Sequence, residues 1–194
     1  MLGRLRQRYE EFMRPIGEAL GGLGVTPNVL TCISAALGGL AGYLFYAKSP
    51  VMGVVGILAV GVVDMLDGAV ARATGRTTRF GGVLDHVLDR YAEFAIILGM
   101  MLGGYVQPIW AIYVLFGMVM ASYVRAKAES IGGLRSCTVG LMERQEKMIM
   151  LMAGGIAVLW FEEALNVVAI IVGTLSHATA VHRLLYTYKQ TGGN

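Results

Sequence analysis

Apolar stretches, each long enough to cross a bilayer, recur along the whole of this chain. A transmembrane helix needs about 20 consecutive apolar residues. Hydrophobic residues make up 56% of the 194 residues and charged residues only 15%, whereas soluble domains carry about 25% charge. We therefore expect an integral membrane protein that forms one compact bundle, with no room for a second, soluble domain.

The predicted fold is all-α, with six transmembrane helices over 25–194 and a juxtamembrane amphipathic helix over 1–24. Glycine, proline and charged residues separate the apolar stretches. The six predicted spans are 28–48, 51–73, 80–103, 108–130, 145–161 and 164–187. In the first 24 residues, apolar side chains recur at helical spacing among charged ones. This pattern is typical of a helix that lies along the membrane interface.

Lysine and arginine are distributed unevenly between the two ends of the predicted spans. Fourteen of the sixteen lie at one end, Lys48 lies at the other, and Arg90 is inside the third span. The positive-inside rule then predicts a multi-pass protein of the cell membrane with both termini in the cytosol. The formal net charge of +3 is small, and we expect no nucleic-acid partner.

Four aspartates at the predicted cytosolic ends of spans two and three are the most informative polar residues. Asp64 and Asp67 are three residues apart, and Asp85 and Asp89 are four apart, so each pair shares a helix face. Because the two spans are antiparallel neighbours, the pairs can face each other. Four converging carboxylates repel unless cations lie among them, and oxygen ligands select Mg²⁺, Mn²⁺ or Ca²⁺.

The residues between these aspartates favour a diphosphate ligand. Gly68, Gly81 and Gly82 have no side chains, so a ligand can approach closely. Arg72 lies one turn beyond Gly68 on the same face, where it can bind a phosphate. Divalent cations beside it would neutralise a diphosphate and stabilise a leaving phosphate.

Acids at this depth would also occur in two kinds of protein without a catalytic metal site. Headgroup water could solvate interfacial acids, although this suits one such residue better than four with paired spacing. A divalent-cation transporter would also place carboxylates in the membrane. It should have acids near the midplane and often internal repeats, whereas these four cluster towards one leaflet and no repeat is evident.

Residues 64–89 read D-x-x-D-G-x-x-A-R, then eight residues, then G-x-x-x-D-x-x-x-D. This pattern resembles the signature of the class I CDP-alcohol phosphotransferase family at every fixed position. The fixed positions are Asp64, Asp67, Gly68, Ala71, Arg72, Gly81, Asp85 and Asp89. The six spans and the N-terminal helix also look like this family, so the resemblance covers nearly the whole chain.

The resemblance implies a reaction and a set of site residues. Family members transfer a phosphoalcohol from a CDP-alcohol to an acceptor hydroxyl and release CMP. Asp64, Asp67 and Asp85 would hold two divalent cations, Mg²⁺ or Mn²⁺, and Asp89 would lie at the metal site and act as the general base. A homodimer is also implied. The implied CDP-lipid-binding residues are Asn28, Val29, Leu30, Thr31, Asp64, Gly68, Arg72 and Thr78.

A second cluster, of basic residues, bears on the acceptor. Positive-inside topology alone would also place basic residues there, but their order resembles the phosphatidylinositol-phosphate synthase branch of the family and its archaeal counterpart. By that resemblance, the residues that bind the acceptor phosphate are Arg125, Arg144, Lys147 and Arg183, with Lys127 beside them. Arg125 stands where lysine is common and Lys147 where arginine is common, which keeps the charge but changes the hydrogen-bond geometry.

The expected reaction transfers a phosphatidyl-type group from CDP-archaeol or CDP-diacylglycerol to myo-inositol 1-phosphate, in phospholipid biosynthesis. Glycerol 3-phosphate is an alternative acceptor because it also carries a phosphate. A soluble CDP-inositol donor, as in di-myo-inositol phosphate synthesis, is a further alternative. No residue distinguishes diacyl from isoprenoid tails, since both need only an apolar groove.

Overall fold

The computed structural model describes the backbone of residues 2–192 and the side chains of residues 12–192. Within that range the chain forms seven α-helices and no β-strand, which confirms the all-α prediction. The helices are α1 (Leu2–Gly22), α2 (Pro27–Tyr46), α3 (Pro50–Ala73), α4 (Arg79–Leu102), α5 (Pro108–Ser130), α6 (Arg144–Ala157) and α7 (Ala164–Gln190). A helix thus occupies most of the predicted N-terminal range 1–24, and its location at the membrane interface stays a prediction.

Local sequence explains where four of these helices begin. Pro27, Pro50 and Pro108 stand at the first turn of α2, α3 and α5, where the missing N–H costs no hydrogen bond and the fixed φ suits a helix. α4 begins after Thr78, whose hydroxyl accepts a hydrogen bond from the Gly81 amide at 2.9 Å. Such a cap satisfies one amide that has no partner within the helix.

Over the described residues, four helices are long and apolar enough to cross a membrane: α2, α3, α5 and α7. Together with the composition, these helices make the protein a multi-pass membrane protein. Charged side chains crowd the first half of α4, so α4 does not reach this measure. α6 has 14 residues, which is about 21 Å of helix, and it ends before the predicted limit of 161. The count of six spans stays a prediction.

The helices pack in a way that brings the ends of α3 and α4 together. α2 packs against both of them, α5 packs against α7, α6 lies between α3 and α7, and α1 lies along α3. Where α2 crosses α4, a Cβ on Gly99 would lie 1.9 Å from the Gly42 carbonyl oxygen. Only glycine lets the two backbones approach so closely. This crossing fixes α4, the helix that carries Asp85 and Asp89, against α2.

One hydrophobic core joins the six helices that follow α1. It includes one fully or nearly fully buried side chain from each of them: Phe45, Ile57, Ile97, Met118, Leu151 and Leu165. Buried apolar side chains of this size contribute about 1.5–3 kcal/mol each when removed from water, and in a membrane their close packing holds the bundle together. The polar residues of interest lie beyond this core, at the end of the bundle where α3 ends and α4 begins.

Candidate active site

Three aspartates from α3 and α4 converge, as their spacing predicts. Among the described residues, Asp64, Asp67 and Asp85 each offer a carboxylate oxygen within 4.8 Å of the other two. Carboxylates at this separation repel one another strongly. The donor set is all oxygen and partly buried, which suits a hard divalent cation such as Mg²⁺ or Mn²⁺. The residues present therefore fit the cations that the sequence predicts.

Asp67 is held in this cluster by a residue from α2. The Thr31 hydroxyl donates a hydrogen bond to Asp67 Oδ2 at 2.8 Å, and both side chains are buried. Hydrogen bonds from neighbouring residues orient the ligands of metal sites and tune their affinity. Sequence analysis assigned Thr31 to donor binding, and the structure adds this contact with a metal-site aspartate.

The fourth aspartate, Asp89, is paired with arginines. Arg144 of α6 places Nη2 at 2.8 Å from Asp89 Oδ1 and Nη1 at 2.7 Å from Asp64 Oδ2. Arg90 Nη2 lies 3.8 Å from the other carboxylate oxygen of Asp89. Arg144, which sequence analysis assigned to the acceptor phosphate, thus bridges two of the four aspartates.

A glutamate that sequence analysis missed lies behind Asp89. The side chain of Glu93 is only 3% exposed and accepts a hydrogen bond from Arg90 Nη2 at 3.0 Å. Arg144 Nε lies 3.8 Å from the same oxygen, Glu93 Oε1, and Arg90 Nη1 donates to the Ser122 hydroxyl on α5. The sequence did carry a signal, because Glu93 follows Asp89 by one helical turn.

A cavity of about 270 Å³ adjoins the carboxylate cluster. It is formed where α2 and α4 begin and α3 ends. Its walls are Pro27, Asn28, Thr31, Asp67, Gly68, Ala71, Arg72, Arg76, Thr77, Thr78, Gly81, Gly82 and Asp85. Five of the predicted donor-binding residues line it: Asn28, Thr31, Gly68, Arg72 and Thr78. Because Asp67 and Asp85 belong to both, the cavity opens directly onto the carboxylate cluster.

The other three predicted donor-binding residues lie elsewhere. Val29 is exposed and Leu30 is buried, and both lie outside the cavity wall, because the first turn of α2 directs only one of its faces to the cavity. Asp64 belongs to the carboxylate cluster instead. Sequence analysis missed Arg76 and Thr77 in the wall, although they lie in the short polar connection between two predicted site helices.

Glycine and threonine have clear structural roles in this cavity. A Cβ on Gly68 would lie 3.1 Å from Arg72 Nη1, so the absence of a side chain leaves room for the guanidinium group. Thr78 caps α4 through its bond with Gly81, and its hydroxyl hydrogen is still able to donate to a ligand. The motif glycine and threonine therefore shape the cavity as well as line it.

Arg183 is held at the junction of three chain segments. Its side chain is buried, with Nε donating to the Val139 carbonyl at 2.8 Å and Nη1 donating to the Ala121 carbonyl at 2.7 Å. These bonds tie α7 to α5 and to the connection between α5 and α6. Arg183 has five N–H donors, so these two bonds leave others for a ligand.

The remaining predicted acceptor residues surround Arg183. Lys147 is only 3% exposed, and the positive charges of both Lys147 and Arg125 act on Arg183. Arg125 Nε pairs with Glu129 at 3.0 Å. Lys127 instead lies over the Tyr123 ring, 5.4 Å from its centroid. Arg125, Lys147 and Arg183 thus form a group that we call the basic cluster.

Known proteins resemble this chain over nearly its whole length. Residues 24–181 match the sequence model of the CDP-alcohol phosphatidyltransferase family. The archaetidylinositol phosphate synthase of Pyrococcus horikoshii is 37% identical over 191 residues, which are 98% of each chain. The chain therefore belongs to the CDP-alcohol phosphatidyltransferase family and is a membrane transferase of phospholipid biosynthesis.

Solved structures agree in fold. The crystal structure of Mycobacterium tuberculosis phosphatidylinositol phosphate synthase with CDP-DAG bound has a TM-score of 0.81 and 30% identity, and covers 92% of this chain and 94% of that one. The same enzyme in complex with manganese and citrate has a TM-score of 0.81 and 30% identity, covering 91% and 88%. The manganese complex agrees with the divalent cations that the aspartate cluster fits.

Proposed function

We propose that this protein transfers the phosphatidyl-type group of a CDP-linked lipid to a hydroxyl of myo-inositol 1-phosphate and releases CMP. One observation carries the proposal: Arg144 and Lys147 lie on the same helix, α6, three residues apart. Arg144 contacts two of the motif aspartates, and Lys147 belongs to the basic cluster. The two halves of a transfer site, one for a diphosphate and one for an anionic acceptor, therefore adjoin. The relatives named above are inositol phosphate synthases.

Asp64, Asp67 and Asp85 would hold the divalent cations, Mg²⁺ or Mn²⁺, with Asp89 at the edge of the site. Their mutual proximity and the hydrogen bond from Thr31 to Asp67 support this assignment. Bound cations supply charge neutralisation for the diphosphate and for the CMP that leaves. The chain's own part is to hold these oxygens at a fixed separation on two rigid helices.

The CDP moiety of the donor would occupy the cavity at the ends of α2 and α3. Arg72, beside Gly68, can bind a diphosphate oxygen with two parallel N–H groups. Asn28 and Thr78 also line the cavity and can bond to polar groups of the nucleotide. The lipid tails would extend from here along the apolar helix faces, and CDP-archaeol and CDP-diacylglycerol would both fit such a surface.

Asp89 would act as the general base. The acceptor oxygen attacks the β-phosphorus, its proton passes to a carboxylate oxygen of Asp89, and the bond between the β-phosphorus and the oxygen of CMP breaks. Arg144 and Arg90 face the two oxygens of Asp89. They therefore fix the orientation of the carboxylate towards the acceptor, which a general base requires.

The basic cluster would bind the phosphate of the acceptor. Like charges from Arg125, Lys147 and Arg183 act on one another, so an anion placed among them is stabilised. Arg183 is already oriented by two backbone carbonyls, and little further side-chain entropy is lost when it binds. Arg144 could reach the same phosphate from the adjoining turn of α6.

We further propose that the six helices α2–α7 all cross the membrane as one catalytic domain over 25–194. Both termini and the active site would then lie in the cytosol, in a protein of the cell membrane, as the distribution of basic residues predicts. The charged part of α4 would lie at the aqueous end of its span. Residues 158–160, which form a turn after α6, would complete the shortest crossing. A homodimer stays a prediction.

The test uses the purified protein in detergent with CDP-archaeol or CDP-diacylglycerol, Mg²⁺ and one acceptor at a time, and measures CMP release. We expect release with inositol 1-phosphate and a loss of about 10²–10⁴-fold in Asp89→Asn, the range for removing a general base. The matched control is Glu163→Gln, which alters an acid that follows the short turn after α6, distant from the aspartates along the chain.

Three outcomes would overturn specific parts of the proposal. CMP release with glycerol 3-phosphate alone would contradict the acceptor assignment while leaving the family reaction intact. Activity only with a soluble CDP-inositol donor would contradict the lipid donor. Equal activity of Asp89→Asn and wild type would contradict the assignment of the base.

A further inference from the structure

Glu93 is a buried acid outside the motif that defines the family. Its side chain is 3% exposed, in the middle of a helix that packs inside the bundle. A buried carboxylate costs free energy unless opposite charges and hydrogen bonds compensate it. Arg90 and Arg144 both turn a nitrogen towards Glu93 Oε1, at 3.0 and 3.8 Å, and the charge of Lys147 also acts on Glu93.

The same two arginines are the neighbours of Asp89. Arg144 faces Asp89 Oδ1 at 2.8 Å and Arg90 faces Asp89 Oδ2 at 3.8 Å. Each oxygen of Asp89 therefore meets one arginine, and both arginines are directed to one oxygen of Glu93. Ser122 holds Arg90 from α5 in addition. Such an arrangement restricts the rotation of both guanidinium groups, because each has partners on two sides.

We propose that Glu93 is a positioning residue for the transfer reaction, which holds Arg90 and Arg144 in the orientation that fixes the carboxylate of Asp89. The inference rests on the proposed function, in which Asp89 is the base. Glu93 itself touches neither substrate nor reacting atoms. Its effect reaches the reaction through the arginines, as residues behind a metal site act through the ligands that they orient.

A purely structural role for Glu93 makes a different prediction. If Glu93 only compensated buried positive charge, its replacement would lower the yield or the thermal stability and leave the kinetics of the folded protein unchanged. If Glu93 positions the arginines, kcat of the folded protein falls. The KM for the CDP-lipid stays unchanged, because the donor cavity is walled by residues of α2, α3, the start of α4 and the connection between α3 and α4.

The experiment begins with CMP release by the wild type, since a failure there concerns the proposed function and not Glu93. Glu93→Gln keeps the size of the side chain and removes its charge. We expect kcat to fall about 10–100-fold, the range for residues that orient a catalytic group, with the donor KM unchanged. Glu163→Gln, which alters a glutamate hydrogen-bonded to Asn166, is the matched control and should keep the kcat of the wild type.

Two further variants keep the proposal testable if Glu93→Gln does not fold. Glu93→Asp keeps the charge but is one methylene shorter, so it should fold and still lose kcat. Arg90→Gln combined with Glu93→Gln should lose much less than the product of the two single losses, because the two residues act as one unit. Wild-type kcat in folded Glu93→Asp, or single losses that multiply, would overturn the proposal.

Discussion

Arg144 of α6 and Asp89 of α4 form an ion pair, with Nη2 and Oδ1 2.8 Å apart. The pair links the motif helices to the part of the chain that carries the basic cluster. Arg144 also contacts Asp64 at 2.7 Å, so one guanidinium group reaches both α3 and α4. The position of the proposed base therefore depends on a residue that the family motif does not contain.

Arg144→Lys tests this dependence. A single ammonium group cannot span Asp64 and Asp89 as a planar guanidinium does, so we expect kcat to fall about 10–100-fold while the protein remains folded. The measurement is CMP release with saturating donor and acceptor. Arg135→Lys changes an exposed arginine in the connection between α5 and α6 and should have the kcat of the wild type. An unaltered kcat in Arg144→Lys would argue against a positioning role for the pair.

Thr31→Val should weaken cation binding. The change keeps the shape of the side chain but removes the hydroxyl that donates to Asp67 at 2.8 Å. Loss of such a contact lowers metal affinity by about 10–100-fold, so more Mg²⁺ or Mn²⁺ is needed for half-maximal CMP release. Chelation by EDTA should abolish release in both proteins, and added Mn²⁺ should restore it.

The control for Thr31→Val is Thr174→Val. The Thr174 hydroxyl bonds to the Ile170 carbonyl one turn earlier, on a helix that contributes no motif aspartate. The cation dependence of this variant should match that of the wild type. Identical cation titrations for Thr31→Val and the wild type would show that the hydrogen bond does not tune the site.

Lys147→Met should impair binding of the acceptor and leave binding of the donor unaffected. A hydrogen bond to a charged group contributes about 1.5–3 kcal/mol, so we expect the KM for inositol 1-phosphate to rise about tenfold or more. Initial rates at varied acceptor and fixed donor measure this change. Lys189→Met, at an exposed position in the last turn of α7, is the control. A rise only in the donor KM would contradict the assignment of Lys147 to the acceptor.

Helix spacing was sufficient to predict the aspartate cluster, because residues three or four apart on a helix share a face whatever the rest of the chain does. The same rule extends from Asp85 and Asp89 to Glu93, which lies one further turn along α4. The contacts of Arg144 have no such local signal. They depend on how α6 is rotated against α3 and α4, and this rotation is decided by packing across the bundle.

Hydropathy predicted the helix ends with uneven success for a related reason. The predicted spans 28–48 and 108–130 agree with α2 and α5 to within two residues. The fifth span was predicted to run to 161, whereas α6 ends at Ala157. Residues 158–161 are apolar, so hydropathy continues through a turn in which the backbone leaves the helix. Apolar composition alone does not separate these two conformations.

Gly99→Ala should destabilise the bundle at the crossing of α2 and α4. The new Cβ would lie 1.9 Å from the Gly42 carbonyl oxygen, so the two helices must separate, at a cost of about 1–3 kcal/mol for such overpacking. We expect a lower unfolding temperature in detergent, together with reduced activity, because α4 carries Asp85 and Asp89. Gly39→Ala is the matched control, since a Cβ there meets nothing within 4 Å. Alanine favours a helix over glycine, so this control should be at least as stable as the wild type. Equal unfolding temperatures for Gly99→Ala and Gly39→Ala would mean that this contact does not set the distance between the two helices.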